Sequence, residues 1–541
     1  MTNSEGHFEF TVPKADSATE DGGQELNPSV SRMQSTAFNR PNMLTARKPG
    51  FTPDPDNPGQ SLQSDASKEL TLTLVPESLI AGTVTLPSSE APDNIMLQIF
   101  RRQVQDGRAR WVSAGGSQST SDGEFRFADL PAGTYKLLTH EQLDHDPVTI
   151  DSLTVDPLTH ARRAPLLGYP PVYYQNASDF GSAATIQLGA GQTQTVSLTL
   201  AKQPYYRVKV PVIPPPETGI RVSVYSLGRK GPGFSLGYNG NDHAIEGLLP
   251  NGTYTVEASS FGPNGLSGAQ SITIKGAPIE GPSMTLLPNA SIPVILKPEF
   301  AGTDHNVIST WNINGRNVAL KGLRRYLANI TLEPTDDLEM RGGGSLRDPT
   351  RSDDDALFID GVAPGSYWVQ VHPALGYVAS VRSGNFDLLH QPLVVTAGGA
   401  GSPIEISLRD DVAEISGTVE GIPSSALAQA STSASGDAHG WTSYTPYGGQ
   451  AGARLYCIPT SDGNGQFMQI WVAPDGSFSY SGLAPGTYRL LAFDHEPPDF
   501  EYRSPEAMQA YDSKGIVIRL VGGQKERVQV QLISTSSSGS E

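Results

Sequence analysis

One short unit recurs four times along the chain, and it decides what the chain can fold into. It reads DGEFRFADLPAGTYKLL from Asp122, NDHAIEGLLPNGTYTVE from Asn241, DDALFIDGVAPGSYWVQV from Asp354 and DGSFSYSGLAPGTYRLLAF from Asp475. At its centre a Pro is followed, directly or after one residue, by Gly, then Thr or Ser, then Tyr. The four sets are Pro131, Gly133 and Tyr135; Pro250, Gly252 and Tyr254; Pro364, Gly365 and Tyr367; and Pro485, Gly486 and Tyr488. The tyrosines stand 119, 113 and 121 residues apart. A period of that length marks tandem domains, since solenoid repeats run to ~20–50 residues.

The unit has a readable physical logic. Phe125 and Phe127 alternate with polar residues, as do Phe478 and Tyr480, which predicts a half-buried strand. Pro then presets φ at the second position of a turn, and Gly suits its last. A second strand starts at the Tyr, with Tyr135 and Leu137, or Tyr488 and Leu490, on one face. Closing strands end at Leu200, Leu408 and Leu532, with Val196, Leu198 and Leu200 alternating in the first and Val528, Val530 and Leu532 in the last. Opening strands are expected at 78–86, 205–212, 290–296 and 412–419. Many short period-2 strands separated by turn signals mean antiparallel sandwiches. The expected fold class is therefore all-β: a tandem array of antiparallel β-sandwiches of immunoglobulin or prealbumin type, with short helical insertions.

The expected divisions are 1–75, a truncated sandwich unit with disordered loops; 76–202, a sandwich with an insertion at 160–185; 203–289 and 290–410, two further sandwiches; 411–533, a sandwich with a short helix at 505–513; and 534–541, a disordered tail. Ser504 can cap that helix, Pro505 suits its first position, Glu506 favours its positive end and Gly515 can stop it. A second helical turn is expected at 176–183. At the amino end, residues 3–10, 43–51 and 69–75 read as strands of a unit whose opening strands have no residues to form them. The chain is thus expected to begin inside a domain, with a longer gene product supplying the missing strands and a signal peptide. Residues 13–42 and 52–68 read as disordered or as a long loop.

Charge and composition narrow the function. With 38 Lys and Arg against 56 Asp and Glu, the net charge is −18. That excludes a nucleic-acid binder working by phosphate neutralisation and argues against attachment to anionic lipid. No apolar run reaches the ~18 residues of a membrane-spanning helix. The single cysteine, Cys457, rules out an intrachain disulfide and a cysteine-based zinc site. It reads as a small buried hydrophobe, with a reactive thiol as the alternative.

The turn-strand, the Pro-Gly-Tyr turn and the strand after it resemble the carboxypeptidase regulatory-like domain family, whose members carry a prealbumin-like sandwich. The resemblance covers roughly 76–533 in four copies. Related starch-binding-like and Cna B-type sandwiches carry a similar turn. The strings at 168–180 and 490–515 look like long surface proteins of soil bacteria that string such domains together. The second copy departs most, since Ala244 and Ile245 replace the aromatic strand. The resemblance implies a non-catalytic, exported surface or periplasmic module with a carbohydrate-binding-like fold.

Several strings touch on chemistry. Gly233 to Gly237, GFSLG, matches a nucleophile elbow around Ser235, but its glycine-rich context has no following helix, so a turn is expected. His243 to Glu246, HAIE, matches a metallocarboxypeptidase zinc string, yet it sits on the strand before the turn. HEQLDH, His140 to His145, is one residue too long for a helical zinc motif. Acidic clusters at 144–146, 336–337, 353–355 and 494–496 read as solvated turns. The two Asp-His-acid triplets among them, at equivalent positions, are the best metal candidates. Tyr169, Tyr173 and Tyr174 surround a Pro-Pro, Phe500, Tyr502 and Tyr511 occupy the corresponding loop of the last unit, and Trp441, Tyr444 and Tyr447 sit in a Ser/Gly-rich loop. Exposed rings would stack on sugars; the competing reading is packing of each loop on its own sandwich. The chain therefore reads as an elongated, exported, non-enzymatic array without a cofactor. Three functions compete: carbohydrate binding through the six residues Tyr169, Tyr173, Tyr174, Trp441, Tyr444 and Tyr447; a structural stalk or adhesion array that contacts other surface proteins; and, weakest, an enzyme that uses the His243 region.

Overall fold

The computed structural model describes scattered residues between 43 and 61, then 74–144, 166–260, 264–301, 308–422 and 453–535, apart from short gaps within these spans. The chain is all-β, and its long strands pair within four successive sandwiches. In the first, Ser78–Thr85, Glu124–Leu130 and Thr193–Thr199 form one sheet, and Met96–Gln105, Arg108–Gln118, Gly133–Thr139 and Ile186–Leu188 form the other. Ile80, Ile99, Phe125, Phe127, Tyr135, Leu137 and Leu198 meet between them. The alternation of the strand with Phe125 and Phe127 puts both rings on this core face, as its period predicts.

One seam in each sandwich departs from the antiparallel expectation. The closing strand runs parallel to the opening one: Thr193–Thr199 beside Ser78–Thr85, Ile404–Arg409 beside Ala290–Glu299, and Lys525–Ile533 beside Ala413–Glu420. In the second unit the short strands Ile279–Glu280 and Met284–Thr285 lie parallel to Gln203–Ile213. Because first and last strands run the same way, the chain leaves each sandwich at the end opposite to its entry. That geometry suits a tandem chain.

The repeated Tyr has the same position in all four sandwiches. Its hydroxyl donates to the carbonyl oxygen four residues earlier: Tyr135 to Pro131 at 2.6 Å, Tyr254 to Pro250 at 3.1 Å, Tyr367 to Ala363 at 2.8 Å and Tyr488 to Ala484 at 2.7 Å. The bond closes the Pro-Gly turn from inside and gives the buried hydroxyl its partner.

Among the described residues helix is nearly absent, with a 3-10 turn at Arg324–Tyr326 and a short helix near the carboxyl end. Pro505–Met508 is α-helical and Gln509–Tyr511 continues as a 3-10 turn, shorter than the expected 505–513. The Ser504 Oγ accepts from the Ala507 backbone N–H at 3.3 Å, so the expected cap forms. At 176–183 the expected helical turn is not helical; the Asp179 carboxylate accepts from the Ser182 N–H at 2.8 Å and holds a side-chain turn there.

The insertion of the first unit does two jobs. Its strand Leu166–Tyr169 pairs antiparallel with Gln142–Leu143 on one side and with Gln203–Ile213, the opening strand of the second unit, on the other. Two short strands of the first unit's chain therefore extend the second unit's sheet. Residues 173–183 instead cover the outer face of the strand Gly133–Thr139, where Phe100, Leu138, Tyr173, Phe180 and Ala183 form a second cluster.

The expected elongated array is corrected by one hairpin. Met96–Gln105 and Arg108–Gln118 project from the first unit and touch the third and fourth. Arg102 pairs with Glu501. At the hairpin tip Asp106 accepts from Tyr502 Oη at 2.8 Å and from Arg503 Nη2 at 3.2 Å. Arg110, only 6% exposed, donates to Glu333 and to the Pro334 carbonyl at 3.2 Å. The Arg108 guanidinium lies 4.2 Å from the centre of the Trp368 ring. Units one, three and four thus meet around this hairpin, which units strung end to end could not do.

Candidate functional site

The aromatic loops were expected to offer open rings. Tyr169 and Tyr173 are 5% and 6% exposed, and their hydroxyls donate to Asp144 at 3.1 Å and to the Pro232 carbonyl at 2.7 Å. Tyr174 is half-buried against the first core. Phe500, Tyr502 and Tyr511 pack over Tyr456, Leu491 and Phe493 on the outer face of the fourth unit, and the Tyr502 ring stacks on Phe467 at 3.7 Å. Tyr169, Tyr173 and Phe500 are buried, while Tyr174, Tyr502 and Tyr511 pack on their own sandwiches and stay partly exposed. Trp441, Tyr444 and Tyr447 lie outside the described residues. Trp471, which the sequence did not single out, is 49% exposed on the strand Met468–Trp471, with the Arg454 guanidinium 4.6 Å from its ring centre.

The remaining strings resolve into structure. Among the described residues no group of three or more His, Cys, Asp or Glu is gathered to hold a metal. Of the two Asp-His-acid triplets, only Asp144 and Asp494 are described; Asp144 meets Tyr169 and Lys202, and Asp494 accepts from Ser534 and Thr535. Asp354 pairs with Arg347 and Asp355 with Arg324. Glu246 lies against Lys209 at 3.1 Å, and the His243 carbonyl accepts from the Val212 N–H. Cys457 is fully buried, and burial pushes its thiol pKa up.

The seam of the first two units holds the concave site. A cavity of about 280 Å³ is lined by Glu141, Gln142 and Leu143 from the first unit and by Tyr205, Ser235, Gly247 and Leu248 from the second. The segment after the strand Gly133–Thr139 brings Glu141 here, and its N–H donates to the Gly233 carbonyl at 3.1 Å. Oε1 of Glu141 accepts from the Ser235 N–H at 2.6 Å and from Ser235 Oγ at 2.9 Å. Ser235 thus donates to a carboxylate and forms part of a loop, as its glycine-rich context implies. Oε2 of Glu141 and Oη of Tyr205 are both shielded from solvent and hydrogen-bond no described residue. Burial raises the Glu141 carboxyl to about 7, against the two Ser235 bonds that favour its charged form. Burial, then the neighbouring Glu141 and Tyr254, push Tyr205 far above the usual tyrosine range. The arrangement can accept donors from a polar guest while Leu143 and Leu248 offer it an apolar wall.

No protein-family model matches the chain, and no curated protein matches it. Among the described residues no helix is long and apolar enough to cross a membrane. Solved structures with a detectable likeness include the Bacillus anthracis TIE protein, at 10% identity and a TM-score of 0.14, covering 63% of this chain and 52% of that one. This chain therefore spans about half the length of that protein. The streptococcal ancillary pilin matches at 9% identity and a TM-score of 0.20, covering 62% of this chain and 99% of its own. A pilus protein of Streptococcus pneumoniae matches at 9% identity and a TM-score of 0.14, covering 86% and 99%. At these TM-scores the chains do not superpose as wholes.

Proposed function

We propose that this chain is a non-catalytic, exported surface protein whose sandwiches are fixed by one hairpin into a multi-domain scaffold that contacts other proteins. The observation that carries this reading is the hairpin itself: Arg102, Asp106, Arg108 and Arg110 reach residues of the third and fourth units. Large and charged side chains are committed to holding units together. Of the loop aromatics that the sugar reading relied on, Tyr169 and Tyr173 are buried and Tyr174 is half-buried, which favours protein contact over glycan stacking at that loop. Export rests on the resemblance to carboxypeptidase regulatory-like modules. The net charge of −18 supports solubility and steers basic partners.

Small-angle scattering of the purified chain, beside affinity electrophoresis through a panel of polysaccharides and a peptidoglycan pull-down, tests the reading. The expected radius of gyration lies nearer the ~24 Å of a globular chain of this length than a rod's value, with no retardation by any polymer. Selective retardation that Trp471→Ala abolishes would overturn it in favour of carbohydrate binding.

A further inference from the structure

The seam cavity combines features that ordinary packing does not explain. Two polar atoms, Glu141 Oε2 and Tyr205 Oη, are shielded from solvent and unpaired among the described residues. Leaving such a group unpaired costs about 1–3 kcal/mol, and more for a charge. Among the described residues the lining contains a carboxyl and no Lys, Arg or His, and the groups acting on Glu141 are the two donors of Ser235. The missing complement is therefore a positively charged donor. Leu143, Leu248 and the tyrosine ring provide an apolar wall beside these oxygens. A guest that satisfies all of this carries a cationic N–H group on a short aliphatic stem. The cavity, at about 280 Å³, accommodates several heavy atoms beyond the head group.

We propose that this cavity is a binding site for a primary alkylammonium group, donating to Glu141 Oε2 and Tyr205 Oη while its methylene stem lies against Leu143 and Leu248. A neutral sugar hydroxyl would leave the carboxylate charge without compensation. A metal ion would find one carboxylate and no second charged ligand in this lining. The ammonium chemistry is shared by a free alkylamine and by a lysine side chain. The site stands independently of the scaffold reading, because amine binding is read by calorimetry and the scaffold by scattering.

The test is isothermal titration calorimetry of the full chain with n-butylammonium chloride, with n-butanol as the neutral control and Nα-acetyl-lysine amide as the peptide-like arm. Saturable binding of n-butylammonium at pH 8, with n-butanol much weaker, is expected. Because burial holds the Glu141 carboxyl at about 7, its ionised fraction rises from about one tenth at pH 6 to about nine tenths at pH 8, so affinity should rise about tenfold. Glu141→Gln should weaken binding at least about tenfold, and Tyr205→Phe about threefold to tenfold. Binding of the lysine amide as well would assign the site to lysine side chains; binding of n-butylammonium alone would assign it to a free amine. No saturable heat, equal binding of n-butanol, or undiminished binding by Glu141→Gln would overturn the proposal and leave the cavity to water. Should Glu141→Gln fail to fold, the wild-type pH dependence and Tyr205→Phe decide it.

Discussion

The hydroxyl of Tyr488 donates to the carbonyl oxygen of Ala484, 2.7 Å away, and also accepts from the Gln466 N–H at 3.3 Å. The ring is fully buried beside Leu455, Cys457 and Val530, so the hydroxyl has no water to fall back on. Tyr488→Phe keeps the ring and removes both bonds. A loss of about 1–2 kcal/mol is expected, since a buried carbonyl and N–H each lose a partner. Urea denaturation followed by circular dichroism measures it. A variant as stable as the parent would show that the ring alone does the structural work.

Gly417 lies opposite Val528 across the parallel seam of the fourth unit, and Gly82 opposite Val196 in the first. A Cβ at Gly417 would stand 1.8 Å from the Val528 carbonyl oxygen, and one at Gly82 2.0 Å from that of Val196. Backbone cannot yield as a flexible side chain can, so the strands must separate. Gly417→Ala is expected to cost more than about 3 kcal/mol, in the range of severe core changes, with Gly82→Ala similar. Loss of soluble expression or a large fall in the denaturation midpoint is the readout, and near-parental stability would mean the seam is looser than its geometry.

Gly107 closes the clamp hairpin with φ at 73°, and a Cβ there would lie 2.6 Å from the Tyr502 ring. Gly107→Ala therefore strains the turn and pushes the fourth unit away. Each sandwich keeps its own core, so circular dichroism should be unchanged while the scattering radius grows. An unchanged radius would show that Arg102 and Arg110 hold the units together without the tip.

Much of this was legible from local pattern. The Tyr unit repeats because each sandwich needs the same closed turn, and Ser504 and Pro505 announce a helix start by chemistry that acts within four residues. The fate of the aromatics was also written, in a signal easily passed over. Leu490-Leu491-Ala492-Phe493 breaks the alternation of a half-buried strand, and all four residues are buried; such a run marks a strand covered on both faces. The loop rings are that cover. What no local period encodes is the meeting of distant segments. Arg102 and Glu501 are 399 residues apart, and Glu141 and Ser235 are 94 apart. Each of the latter two sits in a string whose catalytic or metal motif the sequence already set aside, and only their juxtaposition lines the seam cavity.

Cys457 sits among Leu455, Leu490 and Val530 with no exposed surface, and burial keeps its thiol protonated. The thiolate is the reactive form. The native chain should resist a thiol reagent such as iodoacetamide at pH 8 and take up one equivalent after denaturation. Rapid labelling of the folded protein would mean that the fourth core opens on the labelling timescale.

Glu141 ties stability to pH with a definite sign. Its carboxyl titrates at about 7 in the folded chain, against an ordinary 4.5. Between these values the unfolded chain has released a proton that the folded chain still holds, so the unfolded state binds fewer protons and stability falls as pH rises. The contribution is intact below about 4.5 and lost once pH passes about 7. The full displacement corresponds to about 3 kcal/mol, and partial access of water to the cavity reduces it to about 1–2 kcal/mol. Glu141→Gln retains an acceptor for Ser235 and has no charge to bury. Denaturation midpoints of the two chains should therefore converge near pH 4.5 and separate by pH 8, with the variant the more stable. A separation that does not change with pH would show that Glu141 ionises freely at the seam.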